Sequence, residues 1–374
     1  MTFKIRIQSS GREFTVEEKE TVLAAALRQG VMLAYSCRNG ACGTCKGKLV
    51  SGELDYGTYE SRAMSEAEKE NGHALFCQAK PLSDLVIEAK EIAAAKDIPI
   101  RIMPARVVQM EKLADDVMRL SLKLAEGQRL QFLAGQYIDI LLSGNLRRSF
   151  SLSTSPLSDE LLQLHIRHVP GGHFTDHVFG KMKEKDLLRF QGPFGMFFLR
   201  EDDVQGSTNV GRSQHPASRG ISTSMYVTGD RMSRATPERP AILIAGGTGF
   251  APIKGILEYV FAKGITRPLH LYWGVRAKRD LYLADLPAVW AKEHKNFKFT
   301  SVLSAPKPED HWNGRLGWVH EAVVENYPDL SQHEVYASGP PPMIEALKGV
   351  VKKHGLPEDR LYYDSFEFAH APPP

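Results

Sequence analysis

Cys37-Arg38-Asn39-Gly40-Ala41-Cys42-Gly43-Thr44-Cys45 holds three of the chain's four cysteines, and Cys77 is the fourth. Four residues separate the first two, two separate the next two, and a long gap precedes the last. Thiolates are soft ligands, suited to zinc and to iron–sulfur clusters. A tight loop that wraps an inorganic core needs small side chains, and Gly40, Ala41, Gly43 and Thr44 supply them. The glycines permit unusual backbone angles, and backbone N–H groups in such a loop can point at the sulfurs and tune their potential. A disulfide framework does not fit, because all four cysteines fall in the first quarter of the chain with no secretory signal ahead of them. A zinc site built from two short C-x2-C pairs does not fit either, since one step is C-x4-C and Cys77 stands alone.

Composition narrows the classes. The 374 residues suggest about two to three domains. A hydrophobic share of 43% is ordinary for a soluble globular protein. The net charge of +3, with no basic tract, gives no footing for nucleic acid or a membrane surface. No apolar run is long enough for a membrane-spanning helix. Residues 1–7 alternate like a strand rather than forming an apolar signal core. The reading is a cytoplasmic protein, in a compartment that keeps thiols reduced.

Residues 1–93 read as one small unit around the cysteine loop. Phe3, Ile5 and Ile7 alternate with Lys4, Arg6 and Gln8 as a half-buried strand. Ser9-Ser10-Gly11-Arg12 turns the chain, and Phe14 and Val16 begin the return strand. Thr21 caps a helix over 22–28 that stops at Gly30. A strand over 46–50, a helix start at Ser65 and a last strand over 85–87 follow. The cysteine spacing is that of plant-type ferredoxins. The element order, with Phe76-Cys77-Gln78-Ala79 as final ligand motif, resembles the β-grasp ferredoxins over the whole segment. That resemblance implies a 2Fe-2S cluster on Cys37, Cys42, Cys45 and Cys77.

Residues 94–99 read as a linker. Over 100–201, short apolar runs lie at 105–109, 117–122, 136–142, 150–153, 161–169 and 187–190, and predict a small antiparallel barrel. It carries Arg148-Ser149-Phe150-Ser151, then Val169-Pro170-Gly171-Gly172-His173-Phe174-Thr175, then Gly192-Pro193-Phe194-Gly195. Together these resemble the FAD-binding barrel of the ferredoxin–NADP reductase superfamily. The resemblance gives Arg148 paired hydrogen bonds to a pyrophosphate. It sets the ring of Phe150 against the isoalloxazine and the Ser151 hydroxyl at the flavin N5 edge. Gly171 and Gly172 allow close backbone approach to phosphate, with N–H groups and Thr175 donating to it. FAD rather than FMN is implied by the domain order, since FMN-using relatives carry the ferredoxin at the other end. Residues 202–237 are rich in Ser, Gly, Arg and Pro and read as a disordered insertion. Related reductases lack it and pass almost directly from a strand like Phe197-Phe198-Leu199-Arg200 into the next domain.

Residues 238–368 read as a nucleotide-binding α/β domain. The apolar run over 241–245 suits a buried parallel strand, and it enters Gly246-Gly247-Thr248-Gly249-Phe250-Ala251-Pro252 and a helix. A strand, a glycine turn and a helix N-terminus present N–H groups to a pyrophosphate. Pro252 stands where the full dinucleotide fingerprint has its third glycine, but the G-T-G-x-x-P form resembles the nicotinamide domain of the same superfamily. Two more strand ends, at Gly274-Val275-Arg276 and at Ser338-Gly339-Pro340-Pro341-Pro342-Met343, belong to the same edge, where ligands of open sheets bind. The resemblance assigns Gly246, Gly247, Thr248, Gly249, Pro252, Gly274, Arg276, Asp280, Gly339, Pro340 and Met343 to the nucleotide. The family usually has cysteine where this chain has Ser338, beside the nicotinamide. Tyr363-Asp364-Ser365-Phe366 resembles the terminal segment whose aromatic ring covers the flavin. Ser151, Ser338 and Phe366 are therefore the expected catalytic residues. Arg276 and Arg279 could serve the 2′-phosphate of NADPH. Against that, Gly274-Val275-Arg276-x-x-x-Asp280-Leu281-Tyr282 resembles NADH-using reductases and Asp280 would oppose a phosphate, so NADH is the expected donor.

This order implies one relay. NADH delivers two electrons to the flavin, and the cluster takes them singly. No acid–base triad is needed, and His165, His168, His173 and His177 are expected to be surface or packing residues. The whole chain resembles the single-chain, NADH-dependent iron–sulfur flavoprotein reductases. Residues 35–47, 75–81, 164–172 and 175–179 are similar to the CDP-6-deoxy-delta-3,4-glucoseen reductases, which serve a PMP-dependent sugar dehydrase. The alternative is the reductase component of an aromatic-ring or alkane mono- or dioxygenase. A reading of another class, a redox sensor or electron carrier without hydride chemistry, rests on Ser338 and the insertion.

Overall fold

The computed structural model describes residues 2–92, 98–201 and 239–367. The expected insertion over 202–237, and most of the expected linker, lie outside them.

The N-terminal unit contains β1 (Thr2–Ile7), β2 (Glu13–Glu17), α1 (Val22–Arg28), β3 (Lys46–Ser51), β4 (Leu54–Asp55), α2 (Glu66–Glu70), β5 (His73–Leu75), β6 (Lys80–Pro81) and β7 (Leu85–Glu88). Its main sheet runs β2-β1-β7-β3-β5, and β1 and β7 are parallel. The alternation in β1 and β2 drives Ile5, Ile7, Phe14 and Val16 inward, against Val22, Leu23, Ala25 and Ala26 of α1. Thr21 caps α1 by accepting the Ala24 N–H at 3.3 Å. Ser65 and Glu68 form a reciprocal capping box on α2.

The middle unit contains β8 (Arg101–Ala114), β9 (Val117–Leu124), β10 (Tyr137–Leu141), β11 (Arg147–Ser151), β12 (Leu162–Arg167), α3 (His173–Gly180) and β13 (Leu187–Phe194). The strand order is β11-β10-β13-β8-β9-β12, all antiparallel. A Leu152–Leu164 bridge joins the two ends into a barrel. β8 is much longer than the apolar run over 105–109 that announced it. The strand alternates buried Met103, Ala105 and Val107 with exposed Ile102, Pro104 and Arg106, and its far end mixes Glu111 and Lys112 with half-buried residues, so it is not one continuous apolar run.

The C-terminal unit contains β14 (Ala241–Gly246), α4 (Phe250–Lys263), β15 (Leu269–Val275), α5 (Asp285–Glu293), β16 (Phe297–Leu303), β17 (Arg315–Leu316), α6 (Val319–Asn326), β18 (Glu334–Gly339), α7 (Pro341–Lys353) and β19 (Leu361–Ser365). Its sheet is wholly parallel, ordered β17-β16-β15-β14-β18-β19. The order reverses between β14 and β18, and that switch point is where doubly wound sheets bind ligands.

The stretch after β13 joins all three units. Phe194, Met196 and Phe198 pack into the N-terminal core, while Phe197 and Leu199 pack into the C-terminal core. The chain bends at Met196 and Phe198, and one short connecting segment thereby serves two neighbours.

Candidate functional site

A cavity of about 1850 Å³ lies where the three units meet. Its wall includes Cys37 and Cys77 from the first, Arg148, Phe150 and Ser151 from the second, and Gly247, Gly274, Arg276 and Met343 from the third.

At the cysteine end the loop needs its glycines. Gly40 and Gly43 have φ of 82° and 79°. A Cβ at Gly40 would sit 2.9 Å from the Thr58 carbonyl, and one at Gly43 would sit 3.0 Å from that of Ala63. All four cysteines are free thiols; Cys42, Cys45 and Cys77 are buried and Cys37 is half-buried. They fall into two hydrogen-bonded pairs. Sharing a proton pushes Cys37 up and Cys42 down, and likewise raises Cys45 and lowers Cys77. Backbone N–H groups of Asn39 and Ala41 reach the Cys37 sulfur, and those of Thr44 and Gly40 reach Cys42 and Cys77. Among the described residues no three His, Cys, Asp or Glu side chains gather as a single metal ion requires. Two thiol pairs ringed by N–H donors instead suit a binuclear cluster with two thiolates per iron.

In the barrel, β10 and β11 set Phe150 opposite Ile138 and Ser151 opposite Tyr137. Phe150 is half-buried, with its ring 5.3 Å from that of Phe174. Arg148 holds its guanidinium near the turn through a 2.8 Å bond from Nη1 to the Arg147 carbonyl. Gly171 has φ of 79° and open space above it. Thr175 gives its hydroxyl to the Val169 carbonyl at 2.9 Å, which closes the Gly171–Gly172 turn at the start of α3. Its hydroxyl is thus engaged internally, and backbone N–H groups are what this turn offers the cavity.

At the sheet edge, Gly246, Gly247 and Thr248 line the cavity, with Gly274, Arg276, Asp280, Pro340 and Met343. Gly249, Pro252, Ser338 and Gly339 are not on its wall. Gly249 and Gly339 act by packing. A Cβ at Gly249 would lie 1.9 Å from the Ser338 carbonyl, and one at Gly339 would lie 2.9 Å from Gly246 Cα. Ser338 is fully buried and its hydroxyl has no hydrogen-bond partner among the described residues. Asp280 turns one carboxylate oxygen to the Ala277 N–H at 3.0 Å. Phe366 lies on the wall and its N–H donates to the Gly339 carbonyl at 2.9 Å.

Sequence reasoning missed several groups. Asp364 accepts from Ser36 Oγ at 3.2 Å and from Ser151 Oγ at 3.1 Å, so one carboxyl meets all three units. Burial pushes its pKa up to about 6, against the pull of both serines. Arg167 pairs with Asp116 at 2.8 Å and reaches the Gly247 turn. Only its place in the Leu164–Gly172 run marked it beforehand. His165 is a buried packing residue rather than a surface one. Its Nδ1 meets the Tyr282 hydroxyl at 3.0 Å, and burial, then Lys254 and Arg119, hold its pKa well below the usual value. His173 and His177 are exposed, and His168 pairs with Asp176 at 2.8 Å. Among the described residues no helix is long and apolar enough to cross a membrane.

Residues 5–82 match the family described as 2Fe-2S iron-sulfur cluster binding domain. Residues 104–199 match the oxidoreductase FAD-binding domain, and residues 243–349 the oxidoreductase NAD-binding domain. The CDP-6-deoxy-L-threo-D-glycero-4-hexulose-3-dehydrase reductase of Yersinia pestis is 34% identical over 98% of this chain and 99% of its own length. The phenol hydroxylase P5 protein of Acinetobacter pittii is 32% identical over 98% of this chain and 95% of its own. The crystal structure of an Amycolatopsis cytochrome P450 reductase superposes with a TM-score of 0.75 at 33% identity, covering 97% of this chain and 98% of that one. The chain therefore belongs to the 2Fe-2S flavoprotein reductases of the ferredoxin–NADP reductase superfamily, oxidoreductases that carry electrons from NADH through FAD and a 2Fe-2S cluster to a partner enzyme.

Proposed function

We propose that the shared cavity is the whole relay, with NADH entering at the sheet edge, FAD against β11, and the cluster behind Cys37 and Cys77. The observation that carries this reading is the single wall to which all three units contribute. When bound, FAD accepts the nicotinamide's electron pair and the cluster takes electrons one at a time. The protein supplies placement. Cys37 with Cys42, and Cys45 with Cys77, hold the two irons. Arg148 and the Gly171–Gly172 turn hold the flavin pyrophosphate, and Phe150 stacks on the ring. Ser151 donates its hydroxyl proton to Asp364 at 3.1 Å, which fixes the Oγ at the reacting edge and links it to the Asp364 carboxyl. Gly246, Gly247, Thr248, Gly274 and Pro340 admit the dinucleotide, with Arg167 beside its pyrophosphate. Phe366 shields the flavin. Ser338 keeps a free hydroxyl behind the nicotinamide place, and Gly249, Pro252, Gly339 and Met343 shape the floor. Arg276 and Asp280 face the ribose end, and the carboxylate favours NADH over NADPH.

We further infer that the acceptor is a PMP-dependent sugar dehydrase, supported by the full-length likeness to the Yersinia dehydrase reductase. The second reading is an oxygenase component, supported by the comparable likeness to the phenol hydroxylase protein. Anaerobic addition of NADH, then NADPH, to the purified protein tests the relay. Flavin and cluster bands are expected to bleach together at low NADH. Bleaching of the flavin alone would break the relay, and no response to either nucleotide would leave the sensor reading. Adding a dehydrase or an oxygenase component to the reduced protein separates the two acceptors.

A further inference from the structure

Arg38 sits inside the cluster loop, where a charged side chain would ordinarily point to water. Its side chain is only 16% exposed, and it pairs with Asp139 of β10, which is 0% exposed. Its Nε donates to the Tyr137 hydroxyl at 3.0 Å, and its guanidinium carbon lies 3.9 Å from the Phe194 ring centroid. Asp139 is itself held, accepting from Ser149 Oγ at 2.7 Å. The residues just before Cys37 grip the same barrel. Tyr137 donates its hydroxyl to the Ser36 carbonyl at 2.7 Å, and the Gly195 N–H donates to the Tyr35 hydroxyl at 3.2 Å. On the far side of the loop, Gln78 Nε2 donates to the Arg38 carbonyl at 3.3 Å and lies 3.7 Å from Cys77 Sγ. Arg38 thus ties both cavity-lining cysteines to one barrel strand. That strand is also the one paired with Phe150 and Ser151.

Stability alone does not explain this pair. A buried ion pair is often no better than apolar residues of similar volume, because desolvation offsets the attraction. Arg38 also has φ of 59°, a left-handed conformation that is strained for a residue with a Cβ. What the pair supplies is a unique geometry between two units, and a buried charge balance beside the cluster to which the exposed Arg147, 3.9 Å from Asp139, adds only a solvent-screened contribution.

We propose that Arg38 is a positioning residue for flavin-to-cluster electron transfer, clamping the cluster loop to β10 through Asp139. The inference rests on the relay proposed above. Each transfer oxidises the NADH-reduced flavin by one electron and reduces the cluster by one.

The test uses cofactor-loaded Arg38→Gln, Asp139→Asn and the double variant. Rapid mixing with NADH reads the rate at which cluster bleaching follows flavin bleaching. A redox titration followed by electron paramagnetic resonance reads the cluster potential. Both single variants are expected to slow cluster bleaching several-fold, since the rate of electron transfer falls as the flavin and the cluster move apart. Their potentials should move in opposite directions. Arg38→Gln leaves the Asp139 carboxylate with only the exposed Arg147 at 3.9 Å and lowers the potential; Asp139→Asn leaves the guanidinium unbalanced and raises it; the double variant returns towards wild type in potential but not in rate. Opposite signs show that both charges act on the cluster, and the slowed transfer that persists in the double variant shows that the pair positions it. Wild-type rates with unmoved potentials, or shifts of one sign, overturn the proposal. If Arg38→Gln loads no cluster, Asp139→Asn carries both readouts, slowed bleaching and a raised potential, while Arg38→Lys, which keeps the charge but not the forked geometry, is expected to slow bleaching without the lowered potential. A wild-type protein without flavin or cluster bands would instead refute the relay, so the two failures are distinct.

Discussion

Replacing Gly249 by Ala tests whether the nucleotide edge is built by backbone packing. The new Cβ would lie 1.9 Å from the Ser338 carbonyl oxygen, 2.4 Å from its carbon and 2.9 Å from the Gly339 nitrogen, against the 3.0 Å that real Cβ atoms keep. Relieving the shortest contact needs 3.0 − 1.9 = 1.1 Å of movement. Both sides are main chain, the turn that starts α4 and the end of central strand β18, so no side chain can rotate away. Overpacking a core costs about 1–3 kcal/mol, and a backbone-on-backbone clash belongs at about 3 kcal/mol or beyond. For a unit of this size that lowers Tm by roughly 6–12 °C. The displaced strand end also carries Gly339 and Pro340, so NADH affinity should fall by about tenfold, the equivalent of roughly 1.4 kcal/mol. Gly349→Ala is the control. It is the same chemical change at an exposed position within α7, with nothing within 4 Å of the new Cβ. A mid-helix glycine replaced by alanine gains about 0.5–1 kcal/mol. Thermal unfolding of the flavin-loaded proteins and NADH titration read both variants. If Gly249→Ala melts and binds NADH like the wild type, the close-approach argument is wrong.

Arg148→Ala should weaken FAD by about 1.5–3 kcal/mol, the worth of hydrogen bonds to a charged group; flavin retention on gel filtration, if unchanged, counts against the pyrophosphate assignment. Thr44 Oγ1 lies 3.3 Å from Cys42 Sγ. Thr44→Val removes a donor from a ligand sulfur and should lower the cluster's reduction potential, whereas an unmoved potential would show that this contact does not tune it. His270, bonded to Tyr327 and Thr300, has its pKa lowered from 6.5 to about 4 by burial and then Lys298. Its folded-state pKa is depressed, so its contribution is complete above pH 6.5 and is lost as pH falls towards 4. Discounted for partial exposure, the loss is about 1–2 kcal/mol. Denaturant midpoints at pH 7 and pH 4.5 should differ less in His270→Gln than in wild type; equal differences would exclude this histidine.

The parts of this protein legible in its sequence are those whose chemistry is local. A cluster loop must carry most of its thiolates within a few residues, so Cys37, Cys42 and Cys45 announce it. A pyrophosphate turn needs a strand, glycines and a helix start in succession, so Gly246, Gly247 and Thr248 do the same. Side-chain alternation wrote β1 and β2 and located α1. The same local reading gave Gly249 and Ser338 to the nucleotide; it did not show that the bare Cα of Gly249 packs on the Ser338 carbonyl, or that Ser338 lies off the cavity wall.

What only the tertiary structure decided are contacts between residues far apart in the chain. Asp364 meets serines 328 and 213 positions away, and Arg38 finds Asp139 across 101 positions. In sequence each stands in a segment already marked for a cofactor, but nothing local says which distant residue it meets. The tail from Phe194 to Leu199 reads as one apolar run, yet alternate members enter different cores. Periodicity states that a face is buried but not against what. The choice of neighbour comes from the packing of whole units, where shape and desolvation act over distances that no local spacing records.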